Sequence, residues 1–486
     1  MSIARHAAYN VVGAVLPVAV SLVTVPLYLR VIGLDRYGVL NLCWLLVGYF
    51  GLFDFGLGRA TAQHIASLHN EEGLVRSRAF WTGLSLSAAL AIIAALVAFP
   101  IGWFALTLIK LGDASLRAEV QGALPFLIAA VPLAIFQSVL RGALEGRRNF
   151  LTVNAVLSAG AIATAVLPLA SAILWKPDLR LLVAVSLAVR CLMLLALAVA
   201  AVYAVPVTRY ERPDRREIYK MTRFGAWLTI SNIIGPVMVF ADRFLIGGLV
   251  GAAAVSLYVI PFNVIGQLVL IPSSLSNALF PRFAASEQPI GVKREALLAT
   301  SFVLTPMAMA GLLLVGPFLR LWIGESQALQ ATPVALMLII GFWANGLAQI
   351  PATGLQAAAR TDVTAKVHLA EILPYLLLLW FGLSYLGLIG AALAWSVRGT
   401  ADFIALALLY RLGGSVLRRA LLQGVAVLAL ATILLTTAGW TIVRWVMVAP
   451  LCIVTGALLL RDVPEVIVRY VQNLLGHAAF REWLTR

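Results

Sequence analysis

The sequence predicts an all-α polytopic membrane protein with 12–14 transmembrane helices, and two observations lead to that prediction. Of the 486 residues, 62% are hydrophobic and only 12% are charged, and the mean hydropathy is +0.97. A soluble globular chain carries about 25% charged residues. Apolar runs of about 20 residues, the length that a helix needs to cross a bilayer, also recur from end to end. In lipid these runs must satisfy their own backbone hydrogen bonds, which predicts helices.

Apolar windows bounded by polar breaks predict fourteen spans, the last two of which form a C-terminal pair. The first window follows Met1–His6 directly, without a small-residue cleavage site after a short apolar core, and therefore predicts a retained helix rather than a signal peptide. The predicted spans are 8–32, 37–62, 79–105, 122–144, 151–175, 181–206, 224–248, 252–280, 296–323, 332–358, 366–386, 388–412, 420–441 and 443–461.

The distribution of Lys and Arg predicts the orientation of these spans. With the N-terminus placed in the cytoplasm, 24 of the 36 Lys and Arg residues fall in cytoplasmic segments, eight fall on the other side and four fall within spans. Cytoplasmic loops of membrane proteins carry such an excess, so the sequence predicts that both termini are cytoplasmic. The same rule accounts for the net charge of +15, and we expect no nucleic-acid partner.

The sequence lacks the usual signatures of an enzyme. Its predicted loops are too short for a folded domain of ordinary size, and it contains no GxxxxGK[ST], HExxH or GxSxG motif. Cys43, Cys191 and Cys452 all lie inside apolar segments without ligand-like spacing, so we expect neither disulfides nor a metal site. These features favour secondary or passive transport and predict no cofactor other than a possible coupling cation, either a proton or sodium.

A duplicated architecture is suggested by the most basic loop. It falls after the sixth span, so we predict a six-helix lobe at 1–206, a linker at 207–223, a second six-helix lobe at 224–412, and an extra helix pair with a tail at 413–486. Because six is even, both lobes start on the same side and the repeat is parallel. Arg190 and Arg398 occupy similar places in the last helices of the two lobes.

Eight ionisable residues in or beside the predicted spans are candidates for function, because a charge near the bilayer centre costs several kcal/mol. Arg398 and Asp402 are four residues apart and can pair on one helical face. The adjacent residues Asp242 and Arg243 point about 100° apart, so we do not expect them to neutralise each other. Arg190 has no carboxylate three or four residues away, which favours a water-filled cavity. The substrate-cavity candidates are Arg59, Arg190, Arg243 and Arg398, and the coupling or charge-pair candidates are Asp54, Asp242, Glu371 and Asp402.

Two interpretations of these charges remain open. They are structural salt bridges and snorkelling side chains, or they line a cationic lumen that receives an anionic group such as a diphosphate. In the second case the carboxylates would titrate or bind a coupling cation.

The first two predicted helices resemble those of a known family. The run Val25–Gly33, the pair Tyr37-Gly38 and the stretch Gly51-Leu-Phe-Asp-Phe-Gly-Leu-Gly-Arg-Ala60 are similar to the opening of the polysaccharide-biosynthesis flippases. These belong to the multidrug/oligosaccharidyl-lipid/polysaccharide exporter superfamily. The resemblance implies two lobes around a cavity and alternating access. It also implies translocation of undecaprenyl-diphosphate-linked glycan, such as an O-antigen unit, across the bacterial inner membrane, with a polysaccharide polymerase and a chain-length regulator as possible partners.

Three alternatives stay open at this point. A multidrug-and-toxin-extrusion transporter of the same superfamily expels organic cations and would favour an acidic lumen, whereas the predicted spans hold as many arginines as carboxylates. The peptidoglycan lipid-precursor flippases also have fourteen helices but lack this opening signature. A membrane polysaccharide polymerase or glycosyltransferase would require structured loops with an acidic catalytic pair.

Overall fold

The computed structural model describes residues 3–49, 56–68, 73–111, 113–205, 210, 218, 238, 241–284, 290–437, 442–461 and 463. Helices make up nearly all of these residues, and residues 241–249 form a helical segment between α6 and α7. The helices are α1 (Ile3–Tyr49), α2 (Leu57–Ser67), α3 (Gly73–Leu108), α4 (Ala114–Gly146), α5 (Phe150–Leu174), α6 (Leu179–Ala204), α7 (Ala252–Ile265), a 3₁₀ turn (Gly266–Val269), α8 (Leu270–Ala284), α9 (Ile290–Ile323), α10 (Glu325–Ala357), α11 (Thr361–Leu409), α12 (Gly414–Thr436) and α13 (Ile442–Arg461).

Ten candidate membrane spans occur among the described residues, together with the shorter apolar helix Val446–Leu460. The apolar side chains of α3 illustrate why these helices need lipid. Ile92, Leu96 and Phe104 are all more than 60% exposed, and a surface of this kind would be an aggregation liability in water. The prediction of an all-α, multi-pass membrane protein is therefore confirmed.

Helix α1 is a hairpin of two predicted spans. A continuous helix of 47 residues would be about 70 Å long, more than twice the roughly 30 Å of hydrocarbon. The chain turns at Gly33, whose φ of 78° and ψ of 172° are accessible to glycine and disfavoured for other residues. The ring centroids of Tyr28 and Trp44 then lie 5.7 Å apart, although a straight helix would separate these residues by about 24 Å.

Helix α11 is folded back in the same way. Its turn is at Gly387, with φ 58° and ψ −137°, between the predicted spans 366–386 and 388–412. Gly382 lies before the turn and Gly390 after it. The two limbs approach so closely there that a Cβ on either glycine would collide with the backbone of the other. Side chains 34 residues apart, those of His368 and Asp402, consequently meet at 3.5 Å.

The chain divides into two compact units, Met1–Ser256 and Leu257–Arg486. The predicted boundaries of the two six-helix lobes remain a prediction, because most of the predicted linker 207–223 lies outside the described residues.

In the first unit α4 is the central helix and packs against α2, α3 and α6. Its contact with α2 depends on glycine, because a Cβ on Gly58 would collide with Ser138 and one on Gly142 would collide with the backbone of Gly58. Arg36 of α1 is fixed to Glu119 of α4 by two hydrogen bonds of 2.7 and 3.0 Å. These two residues belong to segments predicted on the non-cytoplasmic side, so the structure brings that pair of segments to one end of the unit.

In the second unit α10 is central and packs against α8, α9, α11 and α12. Most of its apolar window is buried, although its mean hydropathy is the lowest among the ten candidate spans of the described chain. Polar side chains help to join it to its neighbours. Trp343 of α10 donates to Thr305 of α9 at 3.1 Å, and Thr305 donates to Gln423 of α12 at 2.9 Å.

We predict that Gly390→Ala destabilises the protein, because the added methyl meets the backbone at Gly382. Overpacking of this kind costs about 1–3 kcal/mol, so the unfolding midpoint of the detergent-purified protein should fall by several degrees. Gly456→Ala in α13 is the matched control, since a Cβ there meets nothing within 4 Å. Equal midpoints for the two variants would contradict the close packing of the α11 limbs.

Candidate functional site

Four ionisable side chains of α11 meet inside the second unit. Arg398 Nη1 lies 3.7 Å from Glu371 Oε2, and His368 Nε2 lies 3.5 Å from Asp402 Oδ1. We call His368, Glu371, Arg398 and Asp402 the α11 charge cluster. Both contacts join the two limbs of the helix, so the cluster exists only when α11 is folded back at Gly387.

The α11 charge cluster is shielded from solvent by aromatic rings. The side chains of Glu371, Arg398 and Asp402 are at most 13% exposed. The guanidinium carbon of Arg398 lies 4.4 Å from the ring centroid of Trp395 and 5.4 Å from that of Tyr375, which places the cation over two π faces. Among the described residues neither oxygen of Glu371 has a hydrogen-bond partner, so the contact found for this carboxylate is the ionic one with Arg398.

The net charge of the cluster depends on how many protons it holds. Two carboxylates face one guanidinium, which is always charged, and one imidazole, which is either neutral or charged. With neutral His368 and both carboxylates ionised, the cluster carries a net negative charge inside the protein, and uptake of one proton removes it. Protonation and deprotonation are therefore the chemistry that this arrangement supports best.

Sequence reasoning selected Glu371, Arg398 and Asp402 but missed His368. The signal was present, because His368 precedes Glu371 by three residues and so shares its helical face. The expected pairing of Arg398 with Asp402 also needs revision, since the contacts run across the turn to Glu371 and His368. Glu371, expected near the end of its span, is mostly buried.

Asp242 and Arg243 form a second buried pair, in the first unit. Asp242 Oδ1 accepts a hydrogen bond of 2.6 Å from the Arg243 backbone N–H and lies 3.8 Å from Arg243 Nη1. The expectation that neighbouring residues cannot neutralise each other is wrong here. The long arginine side chain bends back toward the carboxylate, so the angle between the two Cα–Cβ bonds does not decide the contact.

Arg190 of α6 differs from these pairs because no ion pair is found for it among the described residues. It borders a void of about 10 Å³ between α1, α4 and α6, which is about the size of one water molecule. The surrounding side chains are mainly apolar, although Trp44 there donates to Ser186 at 3.2 Å. The backbone oxygen of Arg190 accepts a hydrogen bond from Gln137 of α4, which fixes α6 against α4 at this level.

The remaining candidates are less informative. Arg59 is exposed on α2, directly after the contact between Gly58 and Ser138. Asp54 lies outside the described residues. Within the described part of the chain, no group of three or more His, Cys, Asp or Glu side chains is arranged to hold a metal ion.

We predict that Arg398→Gln destabilises the protein more than the double variant Arg398→Gln/Glu371→Gln. Removing one partner of a buried ion pair costs about 3–5 kcal/mol because the other charge is left uncompensated. Removing both avoids most of that cost. Unfolding midpoints of the wild type, the two single variants and the double variant form the cycle, and a double variant no more stable than Arg398→Gln would contradict the pairing.

Comparison with known proteins identifies related sequences. Residues 3–287 match the family described as polysaccharide biosynthesis protein. The chain is 31% identical over 423 residues to a putative O-antigen transporter of Shigella flexneri, and the match covers 84% of this chain and 98% of that relative.

Solved structures share the fold at lower identity. Lipid II flippase MurJ in an inward closed conformation superimposes with a TM-score of 0.72 and 13% identity, covering 93% of this chain and 99% of that one. An inward-facing multidrug resistance MATE family transporter of the MOP superfamily gives a TM-score of 0.64 and 14% identity, covering 88% and 99%. The family match and the Shigella relative confirm the resemblance seen in the first two helices: the chain belongs to the polysaccharide biosynthesis protein family.

Proposed function

We propose that this protein is a flippase that translocates polyprenyl-diphosphate-linked oligosaccharide, such as O-antigen repeat units, across the bacterial inner membrane by alternating access. Its family membership and its similarity to a putative O-antigen transporter support this class of substrate. Its fold, shared with the lipid II flippase MurJ and a MATE family transporter, supports transport rather than enzymatic chemistry.

Arg190 is the observation that carries the proposal for this chain. A guanidinium in a membrane span costs several kcal/mol unless it has a compensating partner, and the described residues offer Arg190 no carboxylate. A diphosphate is a suitable partner, because arginine binds phosphate oxygens through two parallel, charge-assisted hydrogen bonds. The void beside Arg190 is water-sized, so α1, α4 and α6 must expose the guanidinium in another state of the transport cycle.

An exporter of organic cations is the competing function, and the fold alone does not exclude it because MATE transporters share it. A site for cations would be expected to present unpaired carboxylates in the membrane. Asp242, Glu371 and Asp402 instead each contact a cationic or titratable partner, while the described part of the chain provides no carboxylate for Arg190. This distribution favours an anionic substrate.

We assign coupling to the α11 charge cluster. Glu371 and Asp402 share one arginine and one histidine, so the cluster alternates between a net negative and a neutral state by binding a proton. The groups that face Glu371 are Arg398, Asp402 and His368, all from α11. A proton suits the cluster better than sodium, because the carboxylates contact Arg398 and His368 rather than converging on a common point.

The positive-inside bias supports a cytoplasmic location of both termini. A polysaccharide polymerase and a chain-length regulator are the expected partners, since a flipped repeat unit must be polymerised before it becomes surface glycan.

We predict that deletion of the gene causes complete polyprenyl-diphosphate-linked oligosaccharides to accumulate while surface polysaccharide falls, as measured by mass spectrometry of the lipid-linked pool. Arg190→Gln should fail to restore transport, with a loss of about tenfold or more, because a hydrogen bond to a charged group contributes about 1.5–3 kcal/mol.

Arg141→Gln is the matched control, since it removes the same charge from an exposed position that is paired with Glu145 on the same helix. Full complementation by Arg190→Gln at wild-type protein levels would exclude Arg190 from the substrate path. Unpolymerised single units on the surface of the deletion strain would instead indicate a polymerase, and a rise in sensitivity to cationic drugs alone would indicate the exporter.

We predict that transport in proteoliposomes depends on a pH gradient and that Glu371→Gln removes this dependence, because the substituted amide no longer takes up a proton. Glu145→Gln, which changes a partly exposed carboxylate of α4 outside the α11 charge cluster, should behave as wild type. Dependence on a sodium gradient instead, or a pH response that persists in Glu371→Gln, would contradict the assignment.

A further inference from the structure

A basic cavity lies at one end of the second unit, where α10 and α11 finish. Its volume is about 260 Å³. Three of its lining side chains are cationic and none is acidic, and they come from three separate segments of the chain. The lining residues are Lys293, Leu355, Ala358, Arg360, Leu409, Tyr410 and Arg411.

The floor of the basic cavity is preformed by Tyr410. Its ring packs so closely on Gly354 of α10 that a Cβ there would collide with it. On the cavity side, Lys293 Nζ lies 4.1 Å from the ring centroid and donates to the Tyr410 carbonyl at 3.2 Å. An ammonium has three donors, and the carbonyl takes only one of them. Lys293 is thus held in place, and among the described residues no other acceptor takes its remaining donors, which leaves them for a ligand.

The other two cations are placed by helix-ending turns. Ala359 and Arg411 both have φ of 57°, a left-handed conformation that costs a residue with a Cβ about 1–2 kcal/mol. Glycine normally fills this position. The turns are closed by hydrogen bonds from Arg360 N–H to Leu355 O at 2.8 Å and from Leu412 N–H to Ala407 O at 3.0 Å.

Attraction to the helix C-termini explains part of this arrangement, because cations are favoured there by about 0.3–1 kcal/mol. It accounts for Arg360 and Arg411, which follow the last turns of α10 and α11. It does not account for Lys293, which lies in the first turn of α9, or for the open cavity that the three cations enclose.

The cavity lies at the level of the lipid headgroups. Three candidate spans begin or end beside it, at Gly291, Ala357, Thr361 and Leu409. Lys293 and Arg360 fall in predicted cytoplasmic loops, and Arg411 lies at the cytoplasmic end of the predicted span 388–412. Basic pockets at this level bind the phosphates of anionic lipids.

The geometry points to a binding site for the phosphate of an anionic phospholipid headgroup, held by Lys293, Arg360 and Arg411 in the cytoplasmic leaflet. The site would tie the ends of α9, α10 and α11 to the lipid of that leaflet. It is separate from the α11 charge cluster, and it does not depend on which substrate the protein transports.

The test uses the full-length protein in nanodiscs of zwitterionic phosphatidylcholine, into which phosphatidylglycerol is titrated at constant total lipid. The unfolding midpoint of the wild type should rise with phosphatidylglycerol. Lys293→Gln and Arg411→Gly should each need about fivefold more of it for the same rise, the equivalent of about 1 kcal/mol per cation at the headgroups.

Arg411→Gly separates loss of charge from loss of stability, because glycine relieves the strain of the left-handed backbone at this position while it removes the charge. In pure phosphatidylcholine this variant should be at least as stable as the wild type, so a weaker lipid response cannot come from misfolding. Arg418→Gln is the matched control, because Arg418 is an exposed cation of α12 that does not line the cavity. It should respond to phosphatidylglycerol as the wild type does.

Two results would overturn the inference. One is an unchanged phosphatidylglycerol response in both Lys293→Gln and Arg411→Gly. The other is an equal rise of the wild-type midpoint with inorganic phosphate in phosphatidylcholine nanodiscs, which would identify a site for free anions rather than for a lipid headgroup.

Discussion

The backbone contact between the two limbs of α11 is the constraint on which the second unit depends. Gly382 and Gly390 allow the limbs to approach without side chains between them, and the turn at Gly387 makes that approach possible. Only then do Glu371 and Arg398 come within 3.7 Å. Were the limbs apart, each charge would face lipid or apolar side chains alone, at a cost of several kcal/mol. The turn therefore makes ionisable residues tolerable in a membrane helix.

Arg398 in the second unit and Arg190 in the first unit have different surroundings. Arg398 has a carboxylate and two aromatic rings around its guanidinium, so its charge is compensated within the unit. Arg190 sits among apolar neighbours beside a water-sized void. The similar positions of the two arginines in the chain suggested equal roles, but their different surroundings support the two different roles that we propose for them. A compensated cluster can store a proton, whereas an uncompensated cation has most to gain from an anionic ligand.

Hydropathy was sufficient to predict the membrane-embedded, all-helical fold, because the length and composition of each apolar run are local properties. It even separated the limbs of α11 at 386–388, where the structure turns at Gly387. The partners of Arg398 and Asp402 were less predictable. Their spacing of four residues predicted that they pair with each other, whereas the structure pairs Arg398 with Glu371 and Asp402 with His368. Such pairing depends on how two limbs align across a turn, which no window along the sequence records. The opening motif pointed to the family because it is a local pattern of residue types within 25–60, which can be recognised in the sequence without knowing any contact.

The burial of α10 has a consequence for how the protein is made. This helix is enclosed by α8, α9, α11 and α12, and it has the lowest mean hydropathy of the candidate spans in the described chain. A helix that contacts mostly protein does not need an apolar surface on every side, so it can carry polar residues. One of them is Gln349, which accepts a hydrogen bond from Ser273 of α8. The same property means that this helix gains less from contact with lipid than the other candidate spans do. We therefore expect its stable insertion to depend more on the neighbouring helices that bury it.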